Sequence, residues 1–87
     1  RLQDAIEQYQ RALQLNPDFP ELHNNLGNAL RQQGNAQEAI AHFRKSVALT
    51  ADNPEAWNNL GLGLHQQALV AEAIASYERA LALIPLP

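Results

Sequence analysis

A 34-residue period constrains the fold of this chain more than any other feature. Residues 20–53 are followed by a second copy at 54–87, and residues 1–19 match the second half of a further copy. The full copies share the pairs Asn24/Asn58, Asn25/Asn59, Leu26/Leu60, Gly27/Gly61, Ala39/Ala73 and Ile40/Ile74. A fixed period of this length is typical of a solenoid, in which each repeat buries its apolar face against its neighbours. The sequence therefore predicts one array, made of a half repeat (1–19) and two full repeats (20–53 and 54–87).

The array is short for an independent solenoid. Stability in such folds requires roughly three repeats, and the chain has two and a half. It also contains no methionine, even at its start. We therefore expect a fragment of a longer protein, or one that gains stability by self-association.

Composition excludes several classes of function. The net charge is −3, with six basic and nine acidic residues, and the basic residues are scattered. Nucleic acids and acidic membrane surfaces attract concentrated positive charge, so we expect neither as a partner. Cysteine is absent, which excludes disulfides and thiolate chemistry. No segment approaches the roughly 20 apolar residues that span a bilayer.

Apolar residues recur at three- and four-residue spacing throughout the chain, which is the period of an amphipathic helix. Turn signals at Asn16-Pro17-Asp18, Gly34-Asn35 and residues 50–53 separate these segments. The pattern predicts an all-α fold with five antiparallel helices, at about 2–15, 20–33, 36–49, 54–67 and 70–84. Gly27 and Gly61 lie inside two of these helices, where glycine is unfavourable. Their repetition predicts a close approach between helices at both positions.

The spacing of the repeated residues resembles a known family. The second copy reads Trp57-x-x-Leu60-Gly61-x-x-Leu64 and then Ala73-x-x-x-Tyr77; the first reads His23-x-x-Leu26-Gly27-x-x-Leu30 and then Ala39-x-x-x-Phe43. This pattern resembles the tetratricopeptide repeat over the whole chain. The resemblance implies a right-handed superhelix whose concave groove is lined by the first helix of each repeat.

The resemblance also implies where a partner would bind. It places Glu21, Glu55, Leu62 and His65 on the groove side, together with eight polar residues that we expect to contact a peptide. These are Asn24, Asn25, Asn28, Arg31, Gln32, Asn58, Asn59 and Gln66. Asparagine donates and accepts hydrogen bonds without carrying charge, so such a row suits the backbone of an extended peptide. We therefore expect a protein or peptide partner.

Two narrower comparisons within the family point in different directions. Asn25 and Asn59, each before a Leu-Gly pair, are similar to the asparagine ladder in the repeats of O-linked N-acetylglucosamine transferase. In contrast, the basic residues that grip a terminal carboxylate in chaperone-binding members would fall at Asn24, Glu55 and Asn59. Glu55 would repel a carboxylate, so the sequence does not favour that mode.

Catalytic, metal and cofactor sites are not predicted. No histidine has a partner at the four-residue spacing of helical metal sites, and Ser46 and Ser76 have no base nearby in sequence. We expect His23 to lie in the core and His42 and His65 to be solvated. The chain is thus predicted to be non-catalytic, without a metal or other cofactor.

The second copy departs from the first at one turn. Gly34-Asn35, which adopt positive φ readily, are replaced by Ala68-Leu69, where positive φ costs roughly 1 kcal/mol or more. Either packing enforces an ordinary turn, or the last two helices fuse and exchange with a second chain.

Three functions follow from these observations. The leading prediction is a protein-interaction scaffold with an asparagine-lined groove. The alternatives are a self-assembly element, supported by the apolar residues Leu83, Ile84 and Leu86 at one end, and a substrate-recruiting arm of a larger enzyme such as a glycosyltransferase.

Overall fold

The computed structural model describes residues 1–86 and consists, over that range, of α-helices and turns. Its five helices are α1 (Leu2–Leu15), α2 (Pro20–Gln32), α3 (Ala36–Leu49), α4 (Pro54–Gln66) and α5 (Val70–Ala82). The predicted all-α architecture is confirmed, and α5 ends two residues earlier than expected. The final residue of the predicted second repeat, Pro87, lies outside the described residues. No helix in this range is long and apolar enough to cross a membrane.

The helices form a curved stack. Each helix packs against the next, with the most extensive contacts inside the two full repeats, between α2 and α3 and between α4 and α5. Within residues 1–86, the backbone of α2 also approaches that of α4, whereas the backbones of α1, α3 and α5 do not approach one another closely. The stack is therefore tighter along α2 and α4, and we call their common surface the inner face.

Glycines allow the closest helix contacts. A methyl group on Gly27 would lie 2.5 Å from Cε1 of Phe43, and one on Gly61 would lie 2.5 Å from Cε1 of Tyr77. Both distances are far below carbon–carbon van der Waals contact, which is roughly 3.5–4.0 Å. The predicted close approach between helices is confirmed at both glycines. In each case an aromatic ring of the following helix occupies the space that a side chain would need.

The turn from α4 to α5 has the same backbone hydrogen bonds as the turn from α2 to α3. Asn35 N–H donates to Leu30 O at 2.8 Å, and Leu69 N–H donates to Leu64 O at 2.9 Å. Gly34 has φ +93° in the first turn, and Ala68 has φ +61° in the second. The structure therefore contains the turn and not the fused helix. The expectation that Leu69 would also need positive φ was wrong, because its φ is −86°.

Two histidines join α2 to α3. His23 is buried, as predicted, and its Nε2–H donates to Pro17 O at 2.6 Å. His23 Nδ1 is therefore the acceptor in the neutral ring, and it lies 3.1 Å from His42 Nδ1, which donates. The rings stack with centroids 5.3 Å apart. The expectation that His42 is solvated was wrong, because its ring stacks on the ring of His23.

Ala68→Gly is expected to raise the free energy of unfolding by about 0.5–1 kcal/mol, because glycine adopts positive φ without the penalty of a Cβ atom. Chemical denaturation followed by circular dichroism measures the change. Gln67→Gly is the matched control, since Gln67 has φ −90° and glycine there should destabilise. A destabilised Ala68→Gly variant would contradict the backbone assignment.

Acidification from pH 7.5 to 5.5 is expected to lower stability through His42. Burial and the neighbouring His23 lower the pKa of His42 from 6.5, against an opposing effect of Glu38. The folded state therefore binds fewer protons than the unfolded state. The contribution of His42 to the free energy of unfolding is complete above pH 6.5, and it is lost as the pH falls through the lower pKa of the folded state. Acidification should lower the midpoint of chemical denaturation less in His42→Gln than in the natural chain. His65→Gln, at an exposed position, should behave like the natural chain. Equal pH dependence in all three would contradict the prediction.

Candidate functional site

The inner face carries the residues that the sequence predicted for peptide binding, but the structure divides them into two groups. Asn24 and Asn59 are buried, with exposed fractions of 5% and 8%. The other six are at least partly accessible: Asn25, Gln32, Asn58 and Gln66 are exposed, and Asn28 and Arg31 are half-buried. The asparagines are therefore not one uniform row.

The buried pair connects α2 to α4. Asn59 Nδ2 donates to Asn24 Oδ1 at 3.0 Å, and Asn24 Nδ2 donates to Glu55 Oε1 at 3.4 Å. Buried amides need such partners, because an unpaired one costs about 1–3 kcal/mol. These two side chains hold the inner helices together, which leaves little of either amide for a ligand.

The accessible amides border two depressions at the ends of the inner face. Asn25, Asn28 and Gln32 line a pocket of about 240 Å³ that α1 completes with Leu2, Ala5 and Tyr9. Asn58 lines a larger pocket of about 460 Å³, which is completed by residues of α5 and the turn after it, namely Tyr77, Ala80, Leu81 and Ile84. Each pocket thus combines hydrogen-bonding side chains with apolar surface.

Charge is distributed unequally along the inner face. Glu21 and Glu55 lie in the first turns of α2 and α4, whereas Arg31 and His65 lie in the last turns. In both helices the acidic residue lies in the first turn and the basic residue lies in the last turn. One edge of the inner face is therefore acidic, and the opposite edge is basic. The Nε atom of Arg31 is buried and has no hydrogen-bond partner within residues 1–86.

The structure also locates the residues that the sequence analysis considered for metal binding and catalysis. Residues 1–86 contain no group of three His, Cys, Asp or Glu side chains that could hold a metal ion. Ser46 and Ser76 are buried, and Ser76 Oγ donates to Trp57 O at 2.8 Å.

Sequence reasoning missed one pocket outside the inner face. Trp57 is half-buried beside Ser76, its indole N–H donates to Ala51 O at 2.7 Å, and the guanidinium of Arg79 lies 5.3 Å from the ring centroid. Trp57, Ser76 and Arg79 line a pocket between α3 and α5. The sequence signal for this pocket was that the second repeat has Ser76 where the first repeat has His42. A comparison of motif residues does not register this difference.

Solved structures resemble this fold closely. MamA superimposes with a TM-score of 0.88 and 27% identity, over 94% of this chain and 48% of its own. The first TPR of Spaghetti (RPAP3), bound to the HSP90 peptide SRMEEVD, has a TM-score of 0.93 and 26% identity, over 99% of this chain and 68% of its own. The Sgt2 TPR domain from Aspergillus fumigatus, at 24% identity and TM-score 0.90, covers 94% of this chain and 54% of its own. The chain thus spans about half the length of MamA and of the Sgt2 domain.

Comparison with curated protein sequences gives no match. The narrower similarity to the repeats of O-linked N-acetylglucosamine transferase is therefore not supported, and the hypothesis of a glycosyltransferase arm stays an untested prediction.

Family profiles cover the described residues from one end to the other. The profile described as TPR repeat matches residues 1–34 and 27–67, and the profile described as Tetratricopeptide repeat matches residues 54–86. Together with five helices in the expected order and the glycine-to-ring contacts, these matches establish that the chain belongs to the tetratricopeptide repeat family.

Proposed function

We propose that this chain is a non-catalytic protein-interaction module that binds an extended peptide on its inner face. The observation that carries the proposal is the set of accessible amides on α2 and α4, which border pockets with apolar walls. A peptide backbone offers donors and acceptors to such amides, and its side chains gain by entering the pockets. The peptide-bound RPAP3 repeat, at 26% identity, supports this use of the fold.

Charge on the inner face suggests how a peptide would be oriented. Glu21 and Glu55 favour a basic residue or the amino end of the peptide near the first turns of α2 and α4. The half-buried guanidinium of Arg31 favours an acceptor, such as a carbonyl or carboxylate oxygen, near the last turns. This arrangement differs from a cluster of basic residues around one carboxylate, so we do not expect chaperone-type acidic tails to be the preferred ligands.

The accessible asparagines provide the test of this site. Peptides selected from a random display library should bind the natural chain, and Asn28→Ala with Asn58→Ala should weaken binding about thirtyfold, because two hydrogen bonds of about 1 kcal/mol each are lost. Fluorescence anisotropy of labelled peptides measures the affinities. These positions are preferable to Asn59, whose replacement would also remove the bond between α2 and α4.

Gln10→Ala with Gln37→Ala is the matched control, because both glutamines are exposed on the outer helices α1 and α3. This control variant should keep the natural affinity. If the selected peptides bind the Asn28→Ala, Asn58→Ala variant as tightly as the natural chain, the inner face is not their site.

Self-association is a second candidate function, and one series of equivalent residues favours it. Ile6 and Ile40 are 3% and 8% exposed because α2 and α4 cover them, whereas their equivalent in α5, Ile74, is 52% exposed. Leu81 is 67% exposed, although its equivalent Val47 is only 8% exposed. We propose that a second copy of the chain packs on this uncovered end face of α5, which includes the Leu81 wall of the pocket beside Asn58, without any need for the last two helices to fuse.

Ile74→Lys with Leu81→Lys should abolish self-association, because charged residues would then have to be desolvated at the interface. Sedimentation velocity over a hundredfold range of concentration should show the natural chain moving toward dimer and the variant remaining monomeric. Leu15→Lys is the control, since Leu15 is 90% exposed at the end of α1, and it should associate normally. A natural chain that stays monomeric throughout would remove this function and leave the peptide site unaffected.

A further inference from the structure

A pocket of about 290 Å³ lies between α3 and α5, and it shares no lining residue with either pocket of the inner face. Leu60 and Leu64 form an apolar floor and are 4% and 2% exposed. Trp57 and Ser76 border the pocket above this floor. The combination of a buried aliphatic floor and a partly open aromatic surface is typical of sites for small apolar groups.

The preceding repeat indicates what kind of group fits there. His23 and His42 occupy the positions equivalent to Trp57 and Ser76, and their rings stack at 5.3 Å with an interplanar angle of 27°. Ser76 is too short to make such a contact, and its hydroxyl instead bonds to the backbone of Trp57. The second repeat therefore has a larger aromatic surface than the first, and Arg79, in place of a second ring, lies over part of it.

The rim of the pocket carries excess positive charge. Arg44 and Glu72 form an ion pair at 3.0 Å, and both side chains are more than half exposed, so the pair is weak and easily exchanged. Arg79 lies over Trp57 and has no carboxylate within ion-pair distance among residues 1–86. Two guanidinium groups and one carboxylate thus surround the opening, in a chain whose net charge is −3.

We propose that this pocket binds an aromatic carboxylate, with the aromatic ring packed on the leucine floor against the part of Trp57 that Arg79 leaves open, and the carboxylate held by Arg79 and Arg44. Aromatic rings pair favourably in stacked and edge-to-face arrangements. The planar guanidinium fork matches the two oxygens of a carboxylate. Two sources have this chemistry: an aromatic residue at the carboxyl end of a peptide, and a free aromatic acid.

Trp57 makes the proposal directly measurable, because it is the only tryptophan of the chain. Titration with N-acetyl-L-phenylalanine should change its fluorescence saturably. N-acetyl-L-phenylalaninamide, which has the same ring without the charge, should bind about tenfold more weakly, as expected for the loss of a charge-assisted hydrogen bond. Phenylacetate separates the two sources: tighter binding than N-acetyl-L-phenylalanine indicates a free acid, and weaker binding indicates a peptide end.

Two variants test the two parts of the site. Ser76→His recreates the residue pair of the first repeat with a larger ring, so the imidazole should fill the pocket and lower the affinity for N-acetyl-L-phenylalanine at least about tenfold. Arg79→Gln, at an exposed position, should weaken binding of the acid and leave binding of the amide unchanged. Circular dichroism confirms that both variants keep their helix content.

Three results would overturn the proposal. The first is a fluorescence change that does not saturate in the natural chain, the second is equal affinity for the acid and the amide, and the third is full affinity in a folded Ser76→His variant. Arg79→Gln remains informative even if Ser76→His fails to fold, because its substitution lies on the surface.

Discussion

The contact between a helix glycine and an aromatic ring of the next helix sets the geometry on which the rest of this array depends. Gly27 faces Phe43 and Gly61 faces Tyr77, at distances that admit no side chain. Phe43 is fully buried, and a methyl group on Gly63 would lie 3.4 Å from its Cδ2 atom. One ring therefore fixes α2, α3 and α4 relative to one another. In an interior this dense, any change of side-chain volume shifts the neighbouring residues. This contact therefore determines the shape of the inner face.

Residues at equivalent positions of the repeats do not have equal roles. Ile6, Ile40 and Ile74 occupy equivalent positions, but only the first two are covered by a following helix. Asn25 and Asn59 are likewise equivalent, yet Asn59 is buried against Asn24 while Asn25 is exposed. Each repeat contacts only its immediate neighbours, so a side chain becomes structural or available according to which helix lies beside it.

This dependence on neighbours explains how much the sequence could predict. Helix positions and the two glycine contacts depend on local pattern and period, and these predictions agree with the structure. The bond between Asn24 and Asn59, the stacking of His42 and the open pocket beside Ser76 depend on side chains that meet across different helices. The positive φ of Ala68 is a third kind of case, in which packing of α4 against α5 overrides a local preference that also allowed a longer helix.

The proposed binding of a peptide on the inner face should be weak and tolerant of sequence for the same reasons. Neutral hydrogen bonds contribute about 0.5–1.5 kcal/mol each, and association must first offset a loss of translational and rotational freedom of at least about 4 kcal/mol. The few accessible amides of α2 and α4 thus provide little net affinity, and most of it must come from apolar side chains entering the flanking pockets. The buried bond between Asn24 and Asn59 favours such binding indirectly. It holds the two helices in place before a peptide arrives, so less ordering is required on binding.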